Sequence, residues 1–204
     1  HSFPTRRSSD LKVFVITGAT GVGKTTIARY LQDNFRMPRV ITHTTRPPRD
    51  REVDGISYYF ENDTSFEKNH YLERVNYAGA QYGSSYEGLE RAWAKNPYIT
   101  IVLDTAGAIT YARELGDQAV ILFVTVTSPD VLVERVQVRG DDPTAIKQRV
   151  ASPEFLRDMV LPDALKCVAY ELDNDDWAKT KTQLDLFVHD IMNGRSVPKN
   201  KPLG

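Results

Sequence analysis

The stretch Gly18-Ala-Thr-Gly-Val-Gly23-Lys24-Thr25 constrains this chain more than any other part of it. It fits G-x-x-x-x-G-K-[ST], and it follows a short apolar, β-branched run from Lys12 to Thr17. Behind it, Thr25 to about Phe35 has helical spacing, with Ile27, Ala28 and Leu31 on one face. Glycines let the backbone wrap a phosphate group, and the following helix directs its N-terminal N–H groups at the anion. Lys24 is placed to reach β- and γ-phosphates, and the Thr25 hydroxyl to bind Mg2+.

The rest of the chain repeats the strand-then-helix order. Ile99 to Asp104 and Ala119 to Val126 read as buried strands, the first followed by a helix to about Leu115, and Trp177 to about Met192 reads as a last helix. This alternation predicts an α/β fold with a mostly parallel sheet covered on both faces. Val40 to Thr42 and Tyr58 to Phe60 read as strands, and Tyr71 to Tyr86 as short strands and turns. Thr64-x-x-Glu67 reads as a capping box, and Ser128-Pro129 as a helix start. Segments 36–86 and 139–160 break the alternation and read as inserted lobes.

Composition removes other classes. The chain has 204 residues, 41% hydrophobic and 26% charged, with a net charge of −1. Such a balance argues against a protein held to nucleic acid or anionic lipid by bulk charge. Its apolar runs fall well short of the roughly 18 residues that span a membrane. The single cysteine, Cys167, excludes an intrachain disulfide and a thiolate metal cluster and fits a reducing, cytoplasmic compartment. Cys167 itself reads as a buried apolar filler. His43, His70 and His189 show no metal-ligand spacing. Residues 1–11 resemble a sequencing-adapter oligonucleotide translated in one frame, and they are expected to be foreign to the protein and disordered.

Thr44-Thr-Arg46-Pro-Pro-Arg49-Asp-Arg-Glu52-Val-Asp-Gly55-Ile-Ser-Tyr58-Tyr-Phe60 adds the decisive pattern. Two arginines three apart in a proline-stiffened loop can grip one phosphate with forked donors, and Tyr58 offers a hydroxyl to the same group. The stretch carries every fixed position of T-T-R-x-P-R-x-x-E-V-D-G-x-x-Y-x-F. Through it the chain resembles the guanylate kinase family, P-loop enzymes that move the γ-phosphoryl group of ATP onto GMP. The likeness continues through Tyr71-Leu-Glu73 and Gly79-Ala-Gln-Tyr82-Gly83-Ser84. It is looser at Arg135-Val-Gln-Val-Arg139-Gly140, at Arg149 and at Asn174-Asp175-Asp176, and it covers about Lys12 to Met192.

The resemblance implies a P-loop NTPase three-layer fold, with a mostly parallel sheet, an inserted mixed-β GMP-binding lobe and a short helical lid. The core would comprise 12–35, 98–138 and 165–193, the GMP-binding lobe 36–97, the lid 139–160 and a flexible tail 194–204. ATP would be held by Gly18, Ala19, Thr20, Gly21, Val22, Gly23, Lys24, Thr25 and Thr26, with Asn174 near the adenine. Arg46, Arg49, Tyr58 and Tyr82 would bind the GMP phosphate, with Glu52 bracing the arginines. Thr42, Glu73, Gly83, Ser84 and Asp104 would surround the rest of GMP. Lys24, Arg135, Arg139 and Arg149 would neutralise charge on the transferred group. Mg2+ would accompany ATP at Thr25 and Asp104, directly or through water. The implied partners are ATP and GMP, with no nucleic acid and no membrane.

One departure stands out. The family pattern L-D-[IL]-D-x-Q-G-A appears here as Leu103-Asp104-Thr105-Ala106-Gly107-Ala108, with Ala106 in the slot of the second acid. A slower enzyme, a shifted nucleotide preference and an acid supplied from elsewhere are all consistent with it. A related kinase with another acceptor, a general NTPase that would not need the Arg46, Arg49 and Tyr58 grip, and a non-catalytic binding module of the same fold are the alternatives. Retention of Lys24 and Thr25 favours catalysis over the last.

Overall fold

Period-two patterning decides the central sheet. In β1 (Lys12–Thr17) the side chains of Phe14 and Ile16 enter one apolar cluster, and those of Val13 and Val15 enter another on the opposite face. β7 (Ala119–Thr125) divides in the same way, with Val120, Leu122 and Val124 on one side and Ile121 and Phe123 on the other. Strands buried on both faces need helices on both faces, and a helix–sheet–helix sandwich follows.

The computed structural model describes residues 10–77, 79–128, 130–132, 135, 144, 150–199 and 202–203. The main sheet has the order β6-β1-β7-β8, with β6 at Tyr98–Val102 and β8 at Ala169–Asp173, and every neighbouring pair is parallel. α1 (Lys24–Phe35) and α6 (Trp177–Met192) cover the Phe14 face through Leu31, Leu184 and Phe187. α3 (Tyr86–Trp93) and α4 (Thr105–Leu115) cover the Val13 face through Leu89 and Tyr111.

The inserted lobe is a second, mixed sheet of order β3-β2-β5-β4. It combines β2 (His43–Thr44), β3 (Tyr59–Phe60), β4 (Tyr71–Tyr77) and β5 (Ala80–Ser85). β2 runs parallel to β3 and antiparallel to β5, and β4 and β5 form an antiparallel pair. Leu72 of β4 shares a core with Tyr111 of α4, so the lobe is anchored to the main sheet's helical layer.

Several local expectations are corrected. The segment before β2 is drawn away by the edge of β6. Thr100 donates to Pro38 O at 3.0 Å and Val40 to Thr100 O at 2.8 Å, and the lobe's strand starts only at His43. In the stretch expected to hold short strands and turns, Tyr71–Tyr77 and Ala80–Ser85 pair as two strands, and Tyr86 already opens α3. The capping box sits two residues earlier than expected. The Asn62 side chain accepts from Ser65 N at 2.9 Å and Ser65 Oγ accepts from Asn62 N at 3.1 Å, opening α2 (Asp63–Phe66). β8 carried too little alternation to stand out. Cys167 is exposed, not a buried filler, because it lies in the turn before β8.

The C-terminal stretch is not a solvated tail throughout. Leu203 is buried against the α1–α6 layer, its N–H donates to Glu171 O at 2.9 Å, and Pro202 bridges Glu171. Residues 1–9 and Pro129, with the expectations placed on them, lie outside the described residues, as does most of 139–149. Within the expected lid, α5 (Pro153–Asp158) is capped by Ser152, which accepts from Phe155 N, with proline at its first turn. Among the described residues no helix is long and apolar enough to cross a membrane.

Candidate active site

The glycine loop closes one end of a cleft of about 280 Å³. Gly18 and Gly23 have φ of 130° and 100°, backbone that L side chains rarely adopt. A Cβ at Gly18 would stand 2.2 Å from Val124 O, and one at Gly23 2.5 Å from Asn174 Nδ2. The loop therefore lies directly on β7 and on the end of β8. Lys24 folds back over it, donating to Gly18 O at 2.5 Å and Ala19 O at 2.8 Å. Thr20, Gly21, Gly23, Lys24 and Thr25 line the cleft.

Asn174 sits elsewhere than expected. It is 5% exposed and donates from Nδ2 to Val22 O at 2.7 Å, bracing the loop from behind instead of facing a base. Its own carbonyl accepts from Arg135 at 2.9 Å, so Arg135 holds the brace and is not among the residues lining the cleft. Arg139 and Arg149 lie outside the described residues.

The opposite wall is assembled from side chains. Arg46, Arg49, Tyr58, Tyr82, Gly83 and Thr42 all line the cleft. Glu52 accepts from Arg46 with both oxygens at 2.9 Å and from the Arg49 N–H at 2.7 Å, fixing the loop that carries both cations. Burial opposes the charge on Arg46, but Glu52 outweighs it and holds the pKa above its ordinary value. The Arg46 guanidinium lies 5.5 Å from the Tyr58 ring centre. Burial pushes the Tyr58 phenol up, so it remains a hydrogen-bond donor at neutral pH.

Deeper in the cleft the lining turns acidic. Glu73 is 4% exposed and its carboxyl is pushed up to about 8, chiefly by burial and then by Asp104. Ser84 donates to Glu73 at 3.1 Å and accepts from Tyr111 at 2.8 Å, forming a buried chain. Asp104 caps α4 by accepting from Gly107 N at 2.8 Å, and its other oxygen accepts from Arg157 at 2.6 Å. Each oxygen of Asp104 thus already holds a donor.

Five cleft residues escaped the sequence reading, among them Val102 and Leu103 at the end of β6. Val75 and Tyr77 line it beside Glu73. The signal was available, since residues i, i+2 and i+4 of a strand share a face. Tyr77 reaches the glycine loop, its hydroxyl 3.4 Å from Thr20 Oγ1. Asp158 also lines the cleft, brought there by α5, and no sequence pattern marked it. His43, by contrast, is buried between Glu61 at 2.9 Å and Ser85 at 3.2 Å, and it serves the lobe's packing.

Comparison with known proteins bears on the family and the fold. The family described as guanylate kinase matches residues 10–190. A guanylate kinase of Thermus thermophilus is 35% identical over 149 residues, covering 71% of this chain and 67% of that protein. One from Neisseria meningitidis is 32% identical over 199 residues, covering 94% and 92%. The crystal structure of guanylate kinase from Anaplasma phagocytophilum superposes with a TM-score of 0.63 at 18% identity, covering 91% of this chain and 88% of that one, which speaks to the fold.

Proposed function

The chain belongs to the guanylate kinase family, whose reaction moves the γ-phosphoryl group of ATP to GMP, and on that premise we propose how its own residues divide the work. The observation that supports the division is one cleft with a phosphate loop on one wall and paired arginines with a buried carboxylate on the other.

Residues 18–26 wrap the triphosphate, and Lys24 exchanges its carbonyl partners for β- and γ-phosphate oxygens. Mg2+, when bound, neutralises phosphate charge. The exposed Thr25 hydroxyl suits an ion that keeps most of its shell from phosphate and water. Asp104, with both oxygens engaged, fits a place reached through water. Arg46, Arg49, Tyr58 and Tyr82 align the acceptor phosphate, whose oxygen is already anionic at neutral pH and needs no general base. Glu73, Ser84, Thr42 and Gly83 read guanine, dGMP being accepted as well. Arg135 acts through Asn174 on the loop. Arg139 and Arg149 supply the remaining positive charge on the transferred group. The exposed thiol of Cys167 suits a reducing compartment, and the cytoplasm is the proposed location.

The test is a coupled assay of ADP formation with MgATP and GMP, AMP or UMP. GMP-dependent ADP release is expected. ADP formed at the same rate without acceptor, or with AMP preferred, would overturn the reading.

A further inference from the structure

The carboxylate of Asp158 is only 2% exposed, yet it lines the cleft together with Glu73 and Asp104. A buried carboxylate is tolerated when its oxygens are satisfied. Here the partners are one-sided. Thr105 N at 3.3 Å, Thr105 Oγ1 at 2.5 Å and Arg157 Nε at 2.9 Å all converge on Oδ1. Among the described residues no hydrogen bond reaches Oδ2. Glu73 lies against the same first turn of α4, where a Cβ on residue 107 would stand 3.0 Å from Glu73 Oε1. Arg157 spans both aspartates, using Nε for Asp158 and Nη2 for Asp104. This inner end of the cleft thus offers acceptors, and Arg157, which pairs with the two aspartates, is absent from the cleft lining.

Resting on the phosphotransfer reading, we propose that Asp158 is a specificity-determining residue that accepts from a hydrogen-bond donor on the acceptor's nucleoside, and that Arg157 is its positioning residue. An ionised carboxylate accepts only, so its ligand must bring N–H or O–H. A guanine nucleotide brings two candidates to this end, the 2-amino group and the ribose 2′-hydroxyl. The acid that Ala106 does not provide is then delivered from α5, across the sequence. Docking of α5 on α4 completes the acceptor site.

The experiment compares wild type, Asp158→Asn and Arg157→Lys with GMP, dGMP and IMP, each at saturating MgATP, alongside the KM for MgATP and the melting temperature. Asp158→Asn keeps the shape and turns one acceptor into a donor. It should lower kcat/KM for GMP about tenfold or more, the range for a lost hydrogen bond to a charged group, and leave the KM for MgATP unchanged. The loss should shrink with IMP if the 2-amino group is the partner, or with dGMP if the 2′-hydroxyl is. Arg157→Lys, which keeps the charge but loses the fork, should give a smaller loss of the same pattern. Equal losses on all three acceptors, or a KM for MgATP that rises in parallel, would overturn the proposal and leave Asp158 a strut. So would a lowered melting temperature with unchanged acceptor ratios. Wild-type protein that transfers nothing to GMP would instead sink the phosphotransfer reading, before any variant is compared.

Discussion

The two walls of the cleft are built by different means. One wall is a contiguous loop carrying a single lysine and shaped by Gly18 and Gly23, and on the proposed reading its main-chain N–H groups hold the donor's phosphates. The acceptor wall is a mosaic of side chains, with Arg46, Arg49 and Tyr58 from one loop, Glu73 from β4, Tyr82 from β5 and Asp158 from α5. Backbone can hold a phosphate but cannot tell one base from another. Side chains can discriminate, but only if several elements deliver them to one place. On the proposed reading both walls hold phosphate, the second through Arg46 and Arg49, and base selectivity falls to the second wall alone.

Substitutions can break that contrast, beginning with the largest effect. Lys24→Ala should lower kcat about a hundred- to thousandfold with every acceptor alike, since it removes the charge contact proposed for the transferred group. Steady-state rates with an unchanged melting temperature would establish it, and near-normal turnover would erase the distinction between the walls. Glu73→Gln should act selectively instead. Guanine offers adjacent donors to Glu73 in its ionised form, which only accepts. The ratio of kcat/KM for GMP over AMP should narrow at least about tenfold. A ratio that stays put would pass the reading of guanine to Thr42 and Ser84.

Acidity sharpens the comparison further. Burial and Asp104 push the Glu73 carboxyl up to about 8. If GMP binding draws on the ionised form, as proposed, the KM for GMP should climb as pH falls below that value while the KM for MgATP stays flat. Stability should run the other way. Because the folded value lies above the unfolded one, the folded protein binds the extra proton between the two. The stabilisation is full below the unfolded value and lost as pH rises toward 8. Denaturant midpoints across that window, falling with pH in wild type but not in Glu73→Gln, would show it. The smallest effect is expected at Asn174→Ala, which orphans Val22 O and loosens the donor loop. It should cost about 1–3 kcal/mol of stability and raise the KM for MgATP more than that for GMP. Chemical denaturation with paired KM measurements checks both.

The same contrast explains what the sequence disclosed. A backbone site is local, so Gly18 to Thr25 could be read directly, strand before it and helix after. β1, β6 and β7 were legible because they are buried on both faces and nearly all apolar. The acceptor wall became legible only through a long matched pattern from Thr44 to Phe60, since nothing in Glu73 or Ser84 alone announces a site. Asp158 stayed hidden because its role depends on how α5 meets α4, a contact between positions 53 residues apart in the chain. Asn174 was misplaced for a related reason. The motif gives its place in the chain, but its side chain turns under the loop to meet Val22 O.

The return of the C-terminal stretch to β8 bears on how the protein behaves in concentrated solution. β8 ends the main sheet, and a bare edge strand is a template on which another chain can add. Here Pro202 and Leu203 occupy part of that edge, Gln183 donates to Leu203 O, and Lys199 lies over the Tyr170 ring at 5.9 Å. A proline offers no N–H for an incoming strand to use, and a lysine resists close stacking by charge. Trimming the protein after α6 would leave the catalytic cleft untouched on paper while stripping this cover, and self-association through β8 would be the result to watch for during purification.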